Sequence, residues 1–253
     1  MLGFVLLAAE LCFVSKAVDD TEVQTLYAVD LNQPISESDA WCFKISQYSA
    51  VFLRAFAPFQ SDGFESSVCQ SIWNAKQADL GVEVFMTPTR PSFNDGAEQF
   101  DQLYKGLQGC QINVASVWLQ VVSPVDWMFQ PQASVDFINQ VIAQANNYGV
   151  NIGIYTSQKE WMEITYGTND LYAPTRLWYW NVNSPGPLGE TPANFSDFSA
   201  FGPWTSPVVK QFGQGIPICG HTVNRNIYIP SKILHGNVLQ YSNHSDTAQV
   251  RSK

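Results

Sequence analysis

The chain is poor in positive charge, with 13 Lys and Arg residues against 22 Asp and Glu and no cluster of basic residues. At a formal net charge of -9 it lacks the attraction to phosphates that supplies most nucleic-acid affinity. We therefore expect no nucleic-acid partner. The same balance argues against long-range attraction to anionic bacterial envelopes, so binding to them would depend on contacts within a groove.

Long apolar runs are also missing, and no membrane span is expected, because a spanning helix needs about 20 apolar residues in succession. Residues 2–14 are apolar except for Glu10, and small residues follow at Ser15 and Ala17. This pattern is typical of a cleaved secretion signal. It predicts a signal peptide over 1–17 and a single secreted domain over 18–253, located outside the cell or in the lumen of the secretory or digestive route. No Lys or Arg lies near Met1, which leaves a buried N-terminal helix as the alternative.

Cysteine is scarce, with five residues, of which Cys12 leaves with the signal. An even set in a secreted chain predicts two disulfides, and four cysteines allow three pairings that sequence does not distinguish. The set comprises Cys42, Cys69, Cys110 and Cys219. A zinc site is the weaker alternative, because no Cys-x-x-Cys pair exists and the three histidines lack ligand spacing. We expect no metal.

Glycine-rich phosphate-binding turns are absent after every predicted strand, so neither a nucleotide nor another cofactor is expected. Two Asn-x-Ser motifs begin at Asn194 and Asn243. In a secreted chain both are acceptor sequences for N-glycosylation. We expect a monomer.

Short segments rich in β-branched and aromatic residues recur along the chain, and most precede a segment with helical spacing. Predicted strands cover 25–33, 50–58, 81–87, 114–122, 151–156, 176–182, 208–212 and 223–229. Predicted helices cover 36–48, with Ser36 as the cap, then 65–79, 95–107, 131–147 and 159–166. Strands joined through helices form parallel sheets. The fold class expected is therefore α/β, a modified TIM-like (β/α) barrel with irregular C-terminal repeats, and 184–192 is a candidate groove rim.

Asp30 is the first candidate functional residue, because active sites of parallel barrels collect at the carboxyl ends of the strands. It lies late in an otherwise apolar strand, where a charge is costly unless it is paired or faces a polar mouth. A catalytic acid and a buried structural acid are equally compatible with this position.

The segment around Asp30, Tyr27–Gln33 (YAVDLNQ), resembles the G-[IV]-D-V-S-x-x-Q opening of glycoside hydrolase family 25 lysozymes. The likeness is greatest to the protist-type lysozyme-like proteins of nematodes and covers the mature chain. Further matching phrases are 117–121 (VWLQV), 151–156 (NIGIYT), 178–183 (WYWNVN), 190–195 (ETPANF) and 223–228 (VNRNIY). The resemblance implies a modified (β/α) barrel that cleaves the β-1,4 bond between N-acetylmuramic acid and N-acetylglucosamine.

The resemblance also implies four acidic positions, of which this chain retains Asp30. The family's D-x-E pair falls on Gln120 and Val122, and its later Asp falls on Asn224. Glycoside hydrolysis needs a proton donor and a second carboxylate or the substrate's own acetamido group. A glutamine binds sugar but donates no proton at useful pH. Enzymatic activity is therefore left open.

Two other acids are conceivable substitutes for the missing positions, Asp126 beyond the fourth strand and Glu190 in the irregular loop. The ordinary alternative is that both are exposed loop carboxylates, which are common.

Polar and aromatic residues near the strand ends are candidates for substrate binding, because rings with a polar edge suit the faces of sugars. They are Arg54, Tyr155, Trp178, Trp180 and Asn181. Since Trp178 and Trp180 lie on one face of a strand, core packing is an equally good account of the aromatic members.

Two hypotheses lead. One is a secreted lysozyme-like protein of innate defence that acts on or binds peptidoglycan, with bacterial cell-wall glycan as its partner. The other is a catalytically inactive pseudoenzyme that binds glycan or signals. A different secreted hydrolase on the same barrel is the third.

Overall fold

The computed structural model describes residues 24–57, 63–89, 96–127, 130–233 and 240–241. Eight strands close into a barrel in the order β1-β2-β3-β5-β6-β7-β8-β9. The barrel strands are β1 (Leu26–Leu31), β2 (Ala50–Phe56), β3 (Gly81–Met86), β5 (Ser116–Gln120), β6 (Asn151–Thr156), β7 (Arg176–Trp180), β8 (Val209–Ile218) and β9 (His221–Tyr228). The expected α/β barrel is confirmed. A separate two-stranded sheet pairs β4 (Ile112–Asn113) with β10 (Gln240–Tyr241).

A helix follows each of β1, β2, β3, β5, β6 and β9, and the first five of these helices belong to the crossovers that parallel pairing requires. They are α1 (Glu37–Ile45), α2 (Ser67–Gln77), α3 (Gly96–Gly109), α4 (Pro131–Asn147), α5 (Gln158–Thr165) and the short α6 (Pro230–Ile233). Ser36 caps α1 as predicted, because its hydroxyl accepts from the Asp39 N–H while the Asp39 carboxylate accepts from the Ser36 N–H. Both β6 and α4 have the predicted bounds.

The end of the chain departs from the parallel pattern, because β9 runs antiparallel to both β8 and β1. Only Cys219 and Gly220 separate β8 from β9, and both have positive φ, at 53° and 77°. A turn of this length and backbone twist makes a hairpin, whereas a parallel partner would need a crossover of a dozen residues or more. The sequence predicted irregular C-terminal repeats in this barrel, and the antiparallel β9 is the form that this irregularity takes.

Large aromatic rings fill the inside of the barrel. Phe52, Phe85, Trp118 and Trp178 are all buried there, and Trp178 lies with its ring centre 4.8 Å from that of Phe52. Gly153 makes room for this filling, since a Cβ at that position would lie 2.2 Å from the Trp118 ring. The inside of the barrel is thus a packed core.

Two disulfides are present, as predicted, and the structure selects their pairing. Cys42–Cys219 joins α1 to the turn between β8 and β9, and Cys69–Cys110 joins α2 to the end of α3. The Cα atoms lie 5.8 and 6.1 Å apart, which is ordinary disulfide spacing.

Two predictions fall on other parts of the chain: the signal peptide over 1–17 and the glycosylation motif at Asn243 lie outside the described residues. Among the helices that are described, none is both long and apolar enough to cross a membrane.

Candidate functional site

Asp30 lies at the mouth of the barrel, near the carboxyl end of β1, with 3% of its surface exposed. It is two residues beyond Ala28, a member of the inner cluster, so both side chains project into the barrel. Its Oδ1 accepts a hydrogen bond from Asn224 Nδ2 at 2.9 Å. Its Oδ2 accepts from Gln211 Nε2 at 2.8 Å and from Asn226 Nδ2 at 2.7 Å. We call Asp30 and these three amides the Asp30 cradle.

The two asparagines of the cradle cannot turn their amides around. Asn226 Oδ1 accepts from Trp178 Nε1 at 2.8 Å, and an indole N–H only donates. Asn224 Oδ1 accepts from the Gly215 backbone N–H at 3.1 Å. Because both oxygens are held by fixed donors, both amino groups must face Asp30.

Gln211 is oriented in the same way. Its Oε1 accepts from the Tyr155 hydroxyl at 2.9 Å and from Gln214 Nε2 at 2.6 Å. Its amino group therefore points at Asp30 as well, and three N–H donors converge on one carboxylate.

Burial raises the pKa of the Asp30 carboxyl, and the hydrogen bonds from Asn226, Asn224 and Gln211 oppose that rise without cancelling it. Burial, together with the charge of Asp30, also lifts the pKa of the Tyr155 phenol well above its usual range, so this hydroxyl stays protonated and donates. The mouth thus holds a desolvated carboxyl that is easier to protonate than an exposed one.

The positions that the resemblance aligns with a D-x-E pair carry no acid here. Gln120 ends β5, and its Oε1 accepts from Thr87 Oγ1 at 2.5 Å. Val122 packs against the inner cluster, and its carbonyl accepts from Trp127 Nε1 at 2.9 Å. Both side chains lie near the mouth, and neither offers a proton.

Three other carboxylates are neutralised by cations. The pairs are Arg54 with Glu65 at 2.9 Å, Lys210 with Asp197 at 2.7 Å, and Arg225 with Glu190 at 2.8 Å. Arg54, a predicted binding residue, is thus engaged through two hydrogen bonds with Glu65. Glu190 is held by both its oxygens on Arg225, and Asp126 is exposed in a short 3-10 helix.

A groove of about 300 Å³ opens beyond the ends of β6 and β7, within the size range of small-ligand sites. It is lined by Ser157, Gln158, Lys159, Tyr179, Trp180, Asn181, Asp197, Phe198, Ser199 and Phe201. Of the predicted binding residues, Trp180 and Asn181 line this groove. Tyr155 and Trp178 lie inside the barrel instead, where Trp178 has no exposed surface and serves to pack and to orient Asn226.

A buried cation holds the floor of the groove. Lys210 is fully buried, and its ammonium donates to Asp197 and to the carbonyls of Pro192 and Asn194. The Tyr179 hydroxyl also donates to Asp197, at 2.7 Å. These bonds lower the pKa of the Asp197 carboxyl, although burial opposes them, and they anchor the segment after β7 to β8.

Asn194, the described glycosylation motif, is exposed on this anchored segment. Its Oδ1 accepts from the Ser196 hydroxyl at 2.6 Å and from the Ser196 backbone N–H at 3.1 Å.

Glu160 is a residue at the mouth that the sequence analysis missed. It lies in the first turn of α5, and its carboxylate accepts from Trp180 Nε1 at 2.7 Å and from the Ser123 backbone N–H at 2.9 Å. The spacing Ser157-x-x-Glu160 directly after β6 is a helix-start signature and was available in the sequence. Nothing local indicated that the carboxylate would reach Trp180.

No group of three or more potential metal ligands occurs in the part of the chain that the structure describes.

The family described as Lysozyme-like protein 1 matches residues 21–212. Lysozyme-like protein 1 of Caenorhabditis elegans is 43% identical over 228 residues, covering 90% of this chain and 76% of that protein. Lysozyme-like protein 7 of the same organism is 43% identical over 82% of this chain and 74% of its own length. A probable GH family 25 lysozyme 4 of Dictyostelium discoideum is 32% identical over 81% of this chain and 92% of its own length.

Solved structures with the same fold include the lysozyme of Streptomyces coelicolor, with a TM-score of 0.61 and 16% identity over 80% of this chain and 91% of that one. A family GH25 lysozyme of Aspergillus fumigatus superimposes with a TM-score of 0.60 and 14% identity, over 81% and 94%. At these identities the likeness concerns the fold.

Proposed function

This chain belongs to the lysozyme-like protein family, and from that membership we propose that it acts on or binds the N-acetylhexosamine glycan of peptidoglycan at the mouth of its barrel. The relatives that support this proposal are called lysozymes or lysozyme-like proteins. The proposed ligand is the β-1,4-linked strand of N-acetylmuramic acid and N-acetylglucosamine.

The observation that carries the proposal is the Asp30 cradle. A buried carboxyl with a raised pKa, held by three amide donors of fixed orientation, lies where parallel barrels place their chemistry. A carboxyl of this kind suits proton donation to a glycosidic oxygen. With no acid at Gln120, Val122 or Asn224, the acetamido group of the substrate is the second group that such a reaction would need.

The groove supplies the binding half of the proposal. Trp180 offers a partly exposed ring beside Asn181, and a flat apolar face next to an amide matches a sugar that carries an acetamido group. Binding there requires no attraction between net charges, which fits the acidic balance of the chain.

A second function, glycan binding without turnover, is favoured by one specific observation. Asp30 is 3% exposed, and both its oxygens already accept hydrogen bonds, so little of the carboxyl faces a ligand. A protein that kept the groove but lost turnover would act as a lectin or a signalling protein.

We also propose that the protein is secreted, carries an N-glycan at Asn194 and serves in defence against bacteria. Two disulfides are the support for an oxidising compartment. The exposure of Asn194 is the support for its modification.

The test compares wild type, Asp30→Asn and Trp180→Ala on purified peptidoglycan, with reducing-sugar release, turbidity loss and co-sedimentation measured from about pH 4 to pH 8. Trp41→Ala is the matched control, since Trp41 is also a partly exposed tryptophan but lies on α1, away from the groove-lining residues. Turnover lost in Asp30→Asn supports the enzyme. Binding without turnover that Trp180→Ala weakens and Asp30→Asn preserves supports the lectin. Wild type that neither binds nor cleaves refutes both functions.

A further inference from the structure

We propose that Glu160 is a positioning residue for the glycan site, whose carboxylate locks the Trp180 indole into the wall of the groove. This inference rests on the proposed function, because the groove is the proposed sugar-binding surface.

The contacts of Glu160 join the ends of three neighbouring strands. Oε1 accepts from the Ser123 backbone N–H, three residues beyond β5, at 2.9 Å. Oε2 accepts from Trp180 Nε1 at 2.7 Å and from the Ser157 hydroxyl at 3.2 Å. Trp180 is the last residue of β7, and Ser157 comes directly after β6. One carboxylate therefore ties together the loops that surround the groove.

Glu160 differs from the paired carboxylates near the mouth in the kind of donor that it accepts from. Glu65, Asp197 and Glu190 each meet an arginine or a lysine, whereas no ion pair of Glu160 occurs among the residues that the structure describes. Its charge is satisfied by neutral N–H and O–H groups and lies in the first turn of α5, where the helix dipole favours an anion.

Helix capping alone does not explain this geometry. In a capping box the carboxylate of the third helical residue accepts from the backbone N–H of the cap residue. Glu160 accepts instead from the Ser157 side chain, from the Ser123 backbone after β5 and from Trp180 at the end of β7. Ser123 has a positive φ of 57°, a backbone conformation that is uncommon for serine, and its N–H donates to Glu160. The side chain is directed at the mouth.

The consequence for binding is preorganisation. Trp180 is partly exposed, and an unrestrained indole would lose rotational freedom when a sugar stacks on it. Because the indole N–H is already held at 2.7 Å, that loss occurs during folding rather than on binding. A change at Glu160 should therefore weaken ligand binding although Glu160 is not among the groove-lining residues.

The experiment uses the full chain with ¹⁵N-labelled tryptophan, and Trp180→Phe assigns the indole resonance. Glu160→Gln and Glu160→Ala are the test variants: an amide must break one of the two N–H bonds that the carboxylate accepts, and alanine removes both acceptor oxygens. Glu163→Gln is the matched control on the same helix, since Glu163 is exposed and only 3.8 Å from Lys159. The probe is a soluble β-1,4-linked oligomer of alternating N-acetylmuramic acid and N-acetylglucosamine, with Kd measured by calorimetry.

We expect Glu160→Ala to move the Trp180 indole resonance selectively and to weaken binding by about two- to tenfold, the cost of ordering one more side chain on binding. Trp180→Phe keeps an aromatic ring but lacks the indole N–H that donates to Glu160. Adding the Glu160 substitution to Trp180→Phe should therefore weaken binding no further. The single variant Trp180→Phe also keeps the test decisive if the Glu160 variants do not fold, because full affinity in Trp180→Phe would overturn the proposal.

The opposing outcomes are separable. An unmoved indole resonance in Glu160→Ala, or a moved resonance with unchanged affinity, overturns the positioning role, while wild-type binding leaves the proposed function standing. Equal weakening in Glu163→Gln also overturns it, as a general charge effect. If the wild-type protein binds no oligomer, both the proposed function and this inference are refuted. The wild-type measurement alone identifies this outcome.

Discussion

Asp30→Asn removes a buried charge with almost no change of shape, and the cradle makes its effect calculable. In the wild type, Oδ1 accepts from Asn224, and Oδ2 accepts from Gln211 and Asn226. An asparagine has one carbonyl oxygen, and its amino group accepts no hydrogen bond. The least costly rotamer keeps the oxygen toward Gln211 and Asn226 and turns the amino group toward Asn224.

That rotamer loses one buried hydrogen bond and leaves the Asn224 donor without a partner, which costs about 1 to 3 kcal/mol. The variant also gains stability, because it no longer holds a carboxylate away from water. Burial raises the pKa of Asp30. Each unit of that rise costs the ionised wild type about 1.4 kcal/mol at neutral pH.

The two contributions respond differently to pH. The lost hydrogen bond counts at every pH. The contribution of Asp30 to wild-type stability is fully present below its unfolded pKa of about 3.9 and is lost as pH rises through the higher folded pKa. We therefore expect Asp30→Asn to be less stable than wild type by about 1 to 3 kcal/mol near pH 4, with a deficit that shrinks toward neutral pH.

The assay is urea unfolding followed by tryptophan fluorescence, at several values from about pH 4 to pH 7. Asp126→Asn is the control for a change of one formal charge at an exposed carboxylate. A deficit that stays constant, or that grows as pH rises, would mean that burial does not dominate the pKa of Asp30, and the reasoning would be refuted.

Two further changes test the frame of the site. Lys210→Met removes a fully buried ammonium and leaves the Asp197 carboxylate without its cation. We therefore expect the free energy of unfolding in urea to fall by about 3 kcal/mol. A variant as stable as wild type would show that this ion pair does not anchor the segment after β7. Replacing both cysteines of Cys42–Cys219 by serine should cost about 5 kcal/mol and of Cys69–Cys110 about 4, because the closed loops span 177 and 41 residues. Equal or reversed costs would contradict the chain-entropy account.

The barrel could be predicted because each element carries its own local signal. Alternating runs of β-branched and apolar residues indicated β6 with its bounds, and Pro131 marked the first turn of α4. The sequence analysis predicted irregular C-terminal repeats but gave no direction for β9, although a turn of two residues, Cys219 and Gly220, separates it from β8.

The site was predicted only in part. Asp30 was found from its position at a strand end, and Trp180 and Asn181 do line the groove. Trp178 has the same strand parity as Trp180, but it lies deeper in the barrel and is enclosed. Parity fixes the face of a strand and not the depth along it, so the two tryptophans look alike in sequence.

By itself, the sequence determined the order of strands and helices, the cap at Ser36, the two disulfides and the place of Asp30 on its strand. These follow from interactions between residues a few positions apart, or from composition. Only the tertiary structure decided what surrounds Asp30. Its donors lie 181, 194 and 196 residues further along the chain. Asn224 and Asn226 reach it because β9 pairs with β1, and Gln211 reaches it from β8, which pairs with β9. Closure sets those contacts through geometry that no local pattern encodes.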